Sequence, residues 1–533
     1  MPAKSEKLSR QEPESEVCGE QAQATSFLNP GSKPICLVCK FQDLPFIHNT
    51  YRMKSLFRFF LLFFPFSLFA QTAGEFPSLE PLFSFKDGEL SSEDFIRSGL
   101  DFSLCPAESD EGKAVFSQYK ALEAQVKSDS FMAYSEEERG EKILSLMYER
   151  VLRQYSLNQT YINVMFQKGT YNCVSSSVLY AALAKAAGLK VHAVETPDHA
   201  FCTLYLSDGR KIDVETTNPN GFNPGTKKNV QNNGRSSRYQ IVPKKYYMNR
   251  HEISERKFIS LIGKNVTAFY DEKKNYGMAL PVASARISFT EKENIPEEEM
   301  KAVRVDFDTV AMNFAVSLDK QKKSDLALDW LDLVENRWGK ALNQPFYQNS
   351  YENIAYNCAA NLTNEKRAEK AAELFERRKE KISTKNRTVI EEMIFYALLD
   401  EKTKEVTADE ALSLIQESRR SPEGKSGKIA RKLENLEEYY WAEKAKPLSK
   451  EEKFLEAAKI LEEGLKSLPN SRNLQTIRNQ NLNNYAVQVH NNFADLFNAK
   501  KLDEAEKVLN EGLKILPKNG TLQRDLQILR SRK

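Results

Sequence analysis

The sequence predicts an α+β protein with a small antiparallel sheet in its first half and an all-α repeat region in its second half. Two β-rich runs, 199–206 and 211–215, flank an Asp-Gly turn and indicate a hairpin. Apolar residues at helical spacing precede this hairpin between 111 and 187. From about Pro296 onwards no strand pattern occurs, and a helical block of sequence is repeated.

Composition restricts the class of protein. The chain has 533 residues, of which 41% are hydrophobic and 28% charged, so it can bury a core and does not resemble a disordered protein. The 77 basic and 74 acidic residues give a formal net charge of +3. This balance is too close to neutral for the basic signature of a nucleic-acid-binding protein. We therefore expect a folded, multidomain protein with no nucleic-acid partner.

A short apolar segment lies near the N-terminus. Two basic residues occur in Met53–Arg58, and the next twelve residues, Phe59–Ala70, carry no charge. This arrangement is typical of a secretory signal peptide, and the run is shorter than the ~20 apolar residues of a membrane-spanning helix. We interpret residues 53–70 as a signal peptide and residues 1–52 as a disordered or mis-assigned extension. The protein is then expected to be exported, to the periplasm or outside the cell, with no stable membrane span after signal removal.

Helical sequence leads from this segment towards the hairpin. Ser135 and Glu138 have the spacing of a capping box, and apolar residues follow at intervals of three or four as far as Leu152. A further helix is predicted over Ser175–Ala187, ended by Gly188. Region 71–295 is therefore predicted to contain helices followed by antiparallel strands.

Cys173, at the entry to the second of these helices, is the candidate nucleophile. A cysteine attacks as the thiolate, which a helix N-terminus favours, and it needs a histidine within reach. His199 opens a later strand and is the candidate base. Asp213 and Glu215 lie on the next strand, which antiparallel pairing places beside that of His199. Strand alternation puts both carboxylates on one face, and either can orient the imidazole.

This order of residues resembles the transglutaminase-like superfamily, which has a papain-like fold. Segment 169–183 resembles its cysteine helix, 197–201 its histidine strand and 208–217 its acidic strand. The helical block ahead of the cysteine is similar to the lead-in of a bacterial branch, so the resemblance covers about residues 135–225. It implies a Cys-His-Asp/Glu triad with the cysteine helix packed on antiparallel strands. The family contains cysteine peptidases, amidases, acyl-transferring members and inactive binding versions, so the resemblance fixes no substrate.

The sequence departs from the family pattern at the third residue of the triad. The family often ends its acidic strand with Asp-Pro-Thr, whereas this chain has Glu215-Thr-Thr217, with Asp213 two residues earlier. The family's usual residue type favours Asp213, and the alignment of Thr217 favours Glu215. For the oxyanion, the Cys173 backbone N–H is the natural donor, and Gln167 is a further candidate donor through its side chain.

An internal repeat occupies the C-terminal region. Segment Ala457–Pro469 recurs as Ala505–Pro517, 48 residues later. Helix pairs that end in a proline resemble tetratricopeptide repeats, but this offset exceeds the usual ~34 residues, so extra helical turns or a longer linker must intervene. We assign 71–295 to the transglutaminase-like domain and 296–533 to the repeats, with an irregular helical bundle as the alternative. Helical repeats offer concave surfaces for a peptide or a protein partner.

Together these features predict an exported cysteine-dependent hydrolase or acyltransferase that acts on amide bonds of peptides or proteins. The alternative is a non-catalytic scaffold or peptide-binding protein that keeps the fold. No metal or cofactor is expected, because the cysteines and histidines lack a repeated ligand spacing. A peptidoglycan peptide is a substrate suggested only by the predicted compartment.

Overall fold

The computed structural model of this chain describes residues 76–224, 249–341 and 344–532. The predicted extension 1–52 and the predicted signal peptide 53–70 lie outside these ranges. Among the helices inside them, none is both long enough and apolar enough to cross a bilayer.

A run of helices leads up to the sheet. The first four described helices begin after a serine whose hydroxyl accepts a backbone N–H that the helix leaves unpaired, whereas the next two begin after Tyr161 and Asn172. The capping box predicted for Ser135 and Glu138 is confirmed. The helices are α1 (Ser92–Phe102), α2 (Asp110–Val126), α3 (Asp129–Met132), α4 (Glu136–Arg150), α5 (Ile162–Lys168) and α6 (Cys173–Ala186).

In the part of the chain that the structure describes, six short strands form two small sheets. They are β1 (Gln154–Tyr155), β2 (Thr170–Tyr171), β3 (Lys190–Thr196), β4 (His199–Tyr205), β5 (Lys211–Val214) and β6 (His251–Ile253). Strands β1 and β2 pair in parallel, and the larger sheet has the antiparallel order β5-β4-β3-β6. The predicted hairpin is confirmed as β4 and β5, whereas the three-residue strand β6 was not predicted.

The cysteine helix α6 packs on the larger sheet. It contacts β3 and β4 on one side and α1 and α4 on others, so residues 173–184 are all buried. The first apolar cluster, with members from Leu90 to Phe289, surrounds this helix. Cys173 therefore lies at the end of a rigid, central element.

From Glu255 to Arg530, every regular element of the described chain is helical. These helices are α7 (Glu255–Glu272), α8 (Tyr276–Thr290), α9 (Glu297–Lys320), α10 (Ser324–Trp338), α11 (Gln344–Asn364), α12 (Ala368–Glu376), α13 (Thr384–Lys404), α14 (Ala408–Arg420), α15 (Gly427–Lys450), α16 (Phe454–Ser467), α17 (Arg472–Asn498), α18 (Leu502–Ile515) and α19 (Gly520–Arg530), with single 3₁₀ turns at Lys379–Lys381 and Glu423–Lys425. The architecture is mostly helical with small sheets, which fits an α+β layout with a large helical region.

One turn geometry recurs between these helices. In five helix-helix turns a non-glycine residue has φ between 56° and 62°, and the next residue donates its N–H to a carbonyl five residues back. Five residues after the left-handed position, each following helix carries an alanine that is at most 2% exposed. The left-handed residues are Lys274, Lys322, Lys366, Glu452 and Lys500, and the alanines are Ala279, Ala327, Ala371, Ala457 and Ala505.

Ala457 and Ala505 both follow this turn, and the length of the helix between them explains their 48-residue offset. Helix α17 has 27 residues and supplies the extra helical turns that the offset required. The same turn at Lys274 lies inside the region predicted as 71–295, so the turn-and-alanine pattern begins earlier in the chain than the sequence repeat suggested. A second apolar cluster, formed by residues from Ala279 to Ile394 together with Leu79, and two smaller ones continue along these helices.

Candidate active site

Cys173 is the first residue of α6. The Asn172 side chain accepts the backbone N–H groups of Val174 and Ser175 at 3.1 and 3.0 Å, and the Ser175 hydroxyl accepts the Asn172 N–H at 3.1 Å. The cap does not engage the backbone N–H of Cys173, and this N–H has no acceptor within the helix. Cys173 is 8% exposed, and its position at the helix N-terminus favours negative charge on its sulfur.

His199 is held against Cys173 by the β3–β4 hairpin. It follows the two-residue turn Pro197-Asp198 and pairs with Thr196, whose hydroxyl donates to the His199 carbonyl at 3.2 Å. The imidazole is buried and hydrogen-bonded to the Cys173 side chain. The structure therefore brings together the candidate nucleophile and the candidate base.

Glu215 is the carboxylate that contacts His199. Its Oε2 lies 2.7 Å from His199 Nε2, and its Oε1 accepts the backbone N–H and the hydroxyl of Thr217 at 3.0 and 2.5 Å. Strand β5 ends one residue earlier, and the Glu215 N–H donates to the Gly221 carbonyl at 2.8 Å. Because both carboxylate oxygens are engaged and Glu215 is only 1% exposed, the orientation of the imidazole is fixed.

Asp213, which the family's usual residue type favoured as the orienting carboxylate, binds Arg250 instead. The guanidinium donates to both Asp213 oxygens, at 2.8 and 3.0 Å, and the Thr203 hydroxyl donates to the same carboxylate at 2.7 Å. Strand pairing explains this arrangement, since Asp213 lies opposite Thr203, further along β4 than His199. Of the two carboxylates that the sequence left open, Glu215 is therefore the one that contacts His199.

Arg250 is a neighbour of the site that no sequence pattern indicated. Its guanidinium lies 5.0 Å from the ring centroid of Phe201, which is itself stacked 6.3 Å from the His199 ring. Arg250 and Phe201 thus form a layer beside the imidazole. A single arginine just before an unpredicted strand carries no motif by which sequence alone could reveal it.

Burial and the neighbouring Glu215 determine the charge of His199. Burial alone lowers the pKa of His199, because it desolvates the imidazolium. The negative charge of Glu215 and the hydrogen bonds with Cys173 and Glu215 outweigh burial and raise the pKa of His199 to about 10. At neutral pH His199 is therefore an imidazolium.

This raised pKa predicts that the protein loses stability at alkaline pH. The folded chain binds more protons than the unfolded chain between the unfolded pKa of about 6.5 and the folded pKa of about 10. The contribution of His199 is therefore complete below about pH 6.5. It should fall by of order 1 kcal/mol per pH unit as the pH rises through this window. Chemical denaturation of the wild type and of His199→Gln, compared from pH 6 to pH 10, isolates the effect. A constant difference between the two proteins would contradict the raised pKa.

Gln167 does not present a free amide to an oxyanion. It lies on the exposed side of α5, where its Nε2 donates to Glu111 Oε1 at 2.9 Å. The Gln167 amide, which the sequence suggested as an oxyanion donor, is therefore hydrogen-bonded to the Glu111 carboxylate. The backbone N–H of Cys173 remains the donor that the geometry favours.

The other described cysteines are separate from this site. Cys105, Cys202 and Cys358 are buried and free, as is Cys173. Cys202 lies on the opposite side of β4 from His199, and its thiol donates to the Ser177 carbonyl at 3.5 Å. Burial raises the pKa of the Cys202 thiol, with a further rise from Glu215. Across residues 76–224, 249–341 and 344–532, no group of three or more Cys, His, Asp or Glu side chains is arranged to hold a metal ion.

Comparisons with known proteins give no family for the chain. No protein-family model and no curated protein matches it. Among solved structures, it is similar to a crystal structure of menin that reveals the binding site for the Mixed Lineage Leukemia (MLL) protein. That match has 13% sequence identity and a TM-score of 0.25, and it covers 73% of this chain and 93% of menin. A TM-score this low supports no conclusion about fold or function.

Proposed function

We propose that Cys173, His199 and Glu215 are the catalytic residues of a transglutaminase-like cysteine hydrolase or acyltransferase acting on amide bonds of peptides or proteins. The observation that carries the proposal is the buried chain of hydrogen bonds from Cys173 through His199 to Glu215 at the N-terminus of α6. The packing of that helix on antiparallel strands supports a papain-like core.

The proposed reaction starts from a Cys173 thiolate and a His199 imidazolium. The sulfur attacks the amide carbonyl carbon, forming a C–S bond and moving an electron pair onto the oxygen, to which the Cys173 N–H donates. The C–N bond then breaks and His199 gives its proton to the departing amine. Water or a second amine attacks the thioester, passes a proton to His199 and displaces the Cys173 sulfur, which completes hydrolysis or transfer.

Glu215 supports both halves of this cycle. Its charge stabilises the imidazolium that exists before attack and forms again when water is deprotonated. Its contact with Nε2 leaves Nδ1 of His199 to exchange protons with Cys173 and with the substrate. The engagement of its other oxygen by Thr217 keeps this geometry through turnover.

The helical repeats and the predicted signal peptide complete the proposal. Helices stacked by the repeated turn provide an extended surface, and we assign to it the binding of a peptide or protein partner. Export to the periplasm or the outside of the cell rests on segment 53–70. The proposed reaction uses groups of the protein with water or an amine and requires no cofactor.

The test is the reactivity of Cys173 towards iodoacetamide, an electrophile that carries an amide. A free thiol with a pKa near 8.5 is less than about 1% thiolate at pH 6. We expect Cys173 to be alkylated at pH 6 about 100 times faster than glutathione, and His199→Ala to abolish the advantage. Mass spectrometry of the Cys173 peptide separates this thiol from the other cysteines of the chain.

The same samples contain an internal control. Cys105 is buried to a similar degree, and burial raises the pKa of its thiol, so its peptide should be alkylated slowly at every pH tested. If Cys173 reacts no faster than glutathione, the site is not catalytic and the scaffold alternative is favoured. If it reacts rapidly, a profile of peptides cleaved or cross-linked by the wild type and not by Cys173→Ala identifies the substrate.

A further inference from the structure

We infer that Thr216 is the positioning residue that fixes Glu215, and through it His199, relative to the helix that carries Cys173. This inference rests on the proposed function and adds to it a residue that touches neither the sulfur nor the imidazole. Thr216 lies between Glu215 and Thr217, the residue that engages the second Glu215 oxygen. Contacts that fix the position of Thr216 therefore also fix the position of the Glu215 carboxylate.

The Thr216 hydroxyl is bonded to two serines of the cysteine helix. Its Oγ1 lies 2.8 Å from Ser176 Oγ and 2.7 Å from Ser177 Oγ, and all three residues are fully buried. The Ser176 hydroxyl also donates to the Asn172 carbonyl at 2.8 Å, so the contact reaches the cap of α6. The carboxylate segment is thus attached to the first turns of the helix that begins with Cys173.

The Thr216 backbone is held by a second, independent contact. Its carbonyl accepts the Tyr148 hydroxyl at 2.9 Å, and Tyr148 Oη lies 2.9 Å from Tyr171 Oη. Tyr171 is two residues before Cys173, and Tyr148 belongs to the lead-in helix α4. Side chains from α4 and α6 therefore contact Thr216, and a side chain from β2 holds the one from α4.

This convergence matters because the carboxylate leaves the sheet just before Thr216. Strand β5 ends at Val214, so the ladder with β4 does not hold Glu215. A shift of about 1 Å in a catalytic group can cost about 100-fold in rate. Thr216 supplies side-chain contacts at the point where β4 no longer pairs with this segment, and we assign to these contacts the alignment of Glu215 with His199.

The test compares Thr216→Val, Thr216→Ser and the wild type by the rate of Cys173 alkylation with iodoacetamide from pH 5 to pH 10. Valine keeps the shape and removes the hydroxyl, whereas serine keeps the hydroxyl. We expect Thr216→Val to slow alkylation at pH 6 by about 10-fold or more and to move the pH profile towards that of glutathione. Thr216→Ser should stay within about threefold of the wild type, because it keeps both serine contacts.

Thr203→Val is the matched control. Thr203 is also buried in the sheet, but its hydroxyl contacts Asp213 and Arg250 rather than the segment that carries Glu215. The same substitution there should leave the rate and pH profile of Cys173 unchanged. A role of Thr216 in stability alone would lower the melting temperature without moving that profile.

Each outcome separates the two proposals. If wild-type Cys173 reacts like glutathione, the proposed function fails. If the wild type reacts rapidly and Thr216→Val is equally rapid, only the role of Thr216 is refuted. Should Thr216→Val fail to fold by circular dichroism, Ser176→Ala/Ser177→Ala removes both contacts to the Thr216 hydroxyl from the helix side, together with the bonds of these serines to the Asn172 and Ala200 carbonyls, and is judged by the same rates. Failure of both variants to fold would also refute the inference, by making Thr216 a residue of stability.

Discussion

Replacement of Glu215 by glutamine is expected to slow the alkylation of Cys173 at pH 6 by about 100-fold, close to the rate of an ordinary thiol. Glutamine fills the same volume, and its oxygen can still accept from Thr217. Its NH₂ group would face Nε2 of His199. The substitution would remove the negative charge that stabilises the imidazolium. The rate is measured by mass spectrometry of the Cys173 peptide.

Asp213→Asn provides the control for this prediction. It makes the same chemical change two residues away, on a carboxylate that binds Arg250 and Thr203. We expect its alkylation rate to stay within about threefold of the wild type, because the contact between His199 and Glu215 is untouched. If Asp213→Asn slowed alkylation as much as Glu215→Gln, the assignment of Glu215 as the orienting carboxylate would be refuted.

The largest expected loss of stability follows removal of Asp306. Its Oδ2 accepts from Arg286 Nη2 at 2.9 Å, and Arg286 is a fully buried guanidinium whose Nε donates to the Ser260 carbonyl. Burial lowers the pKa of Arg286, and Asp306 opposes that effect. Asp306→Ala leaves this buried charge without its carboxylate. The free energy of unfolding should therefore fall by about 3–5 kcal/mol.

A double variant tests the physical reason. Arg286→Met/Asp306→Ala removes both charges and places an apolar chain in the same space, so it should recover most of the loss. Chemical denaturation followed by fluorescence of the tryptophans on α10 and α15 reports the unfolding free energies. A loss below about 1 kcal/mol in Asp306→Ala, or no recovery in the double variant, would contradict the account.

Local signals in the sequence were enough to predict the elements that carry Cys173 and His199. The cysteine helix was predicted from Ser175 and begins at Cys173, since Asn172 and Ser175 form its cap. The Asp-Gly turn predicted the hairpin that sets β5 beside β4. Both signals depend on residues close together in the chain, where spacing reports structure directly.

The contacts around Glu215 depend on positions far apart in the chain and were not predictable. Alternation applies only while a strand continues, and β5 ends before Glu215, so residue type and alignment could not choose between Asp213 and Glu215. Tyr148 meets Thr216 across a sequence separation that no periodicity describes. Strand β6 has three residues and pairs with the distant β3, which is too little sequence for a β pattern.

Helix α8 contributes residues to two apolar clusters, and this affects where the chain can be cut into folded fragments. One face, with Val282 and Phe289, belongs to the cluster around the cysteine helix, and the other, with Leu280 and Ile287, belongs to the second cluster. A fragment ending at residue 295 would expose the second face to water. Thermodynamic linkage through α8 also means that a ligand binding only to the folded second cluster would protect the Cys173 region from proteolysis. The half that carries the candidate active site is thus not a detachable module.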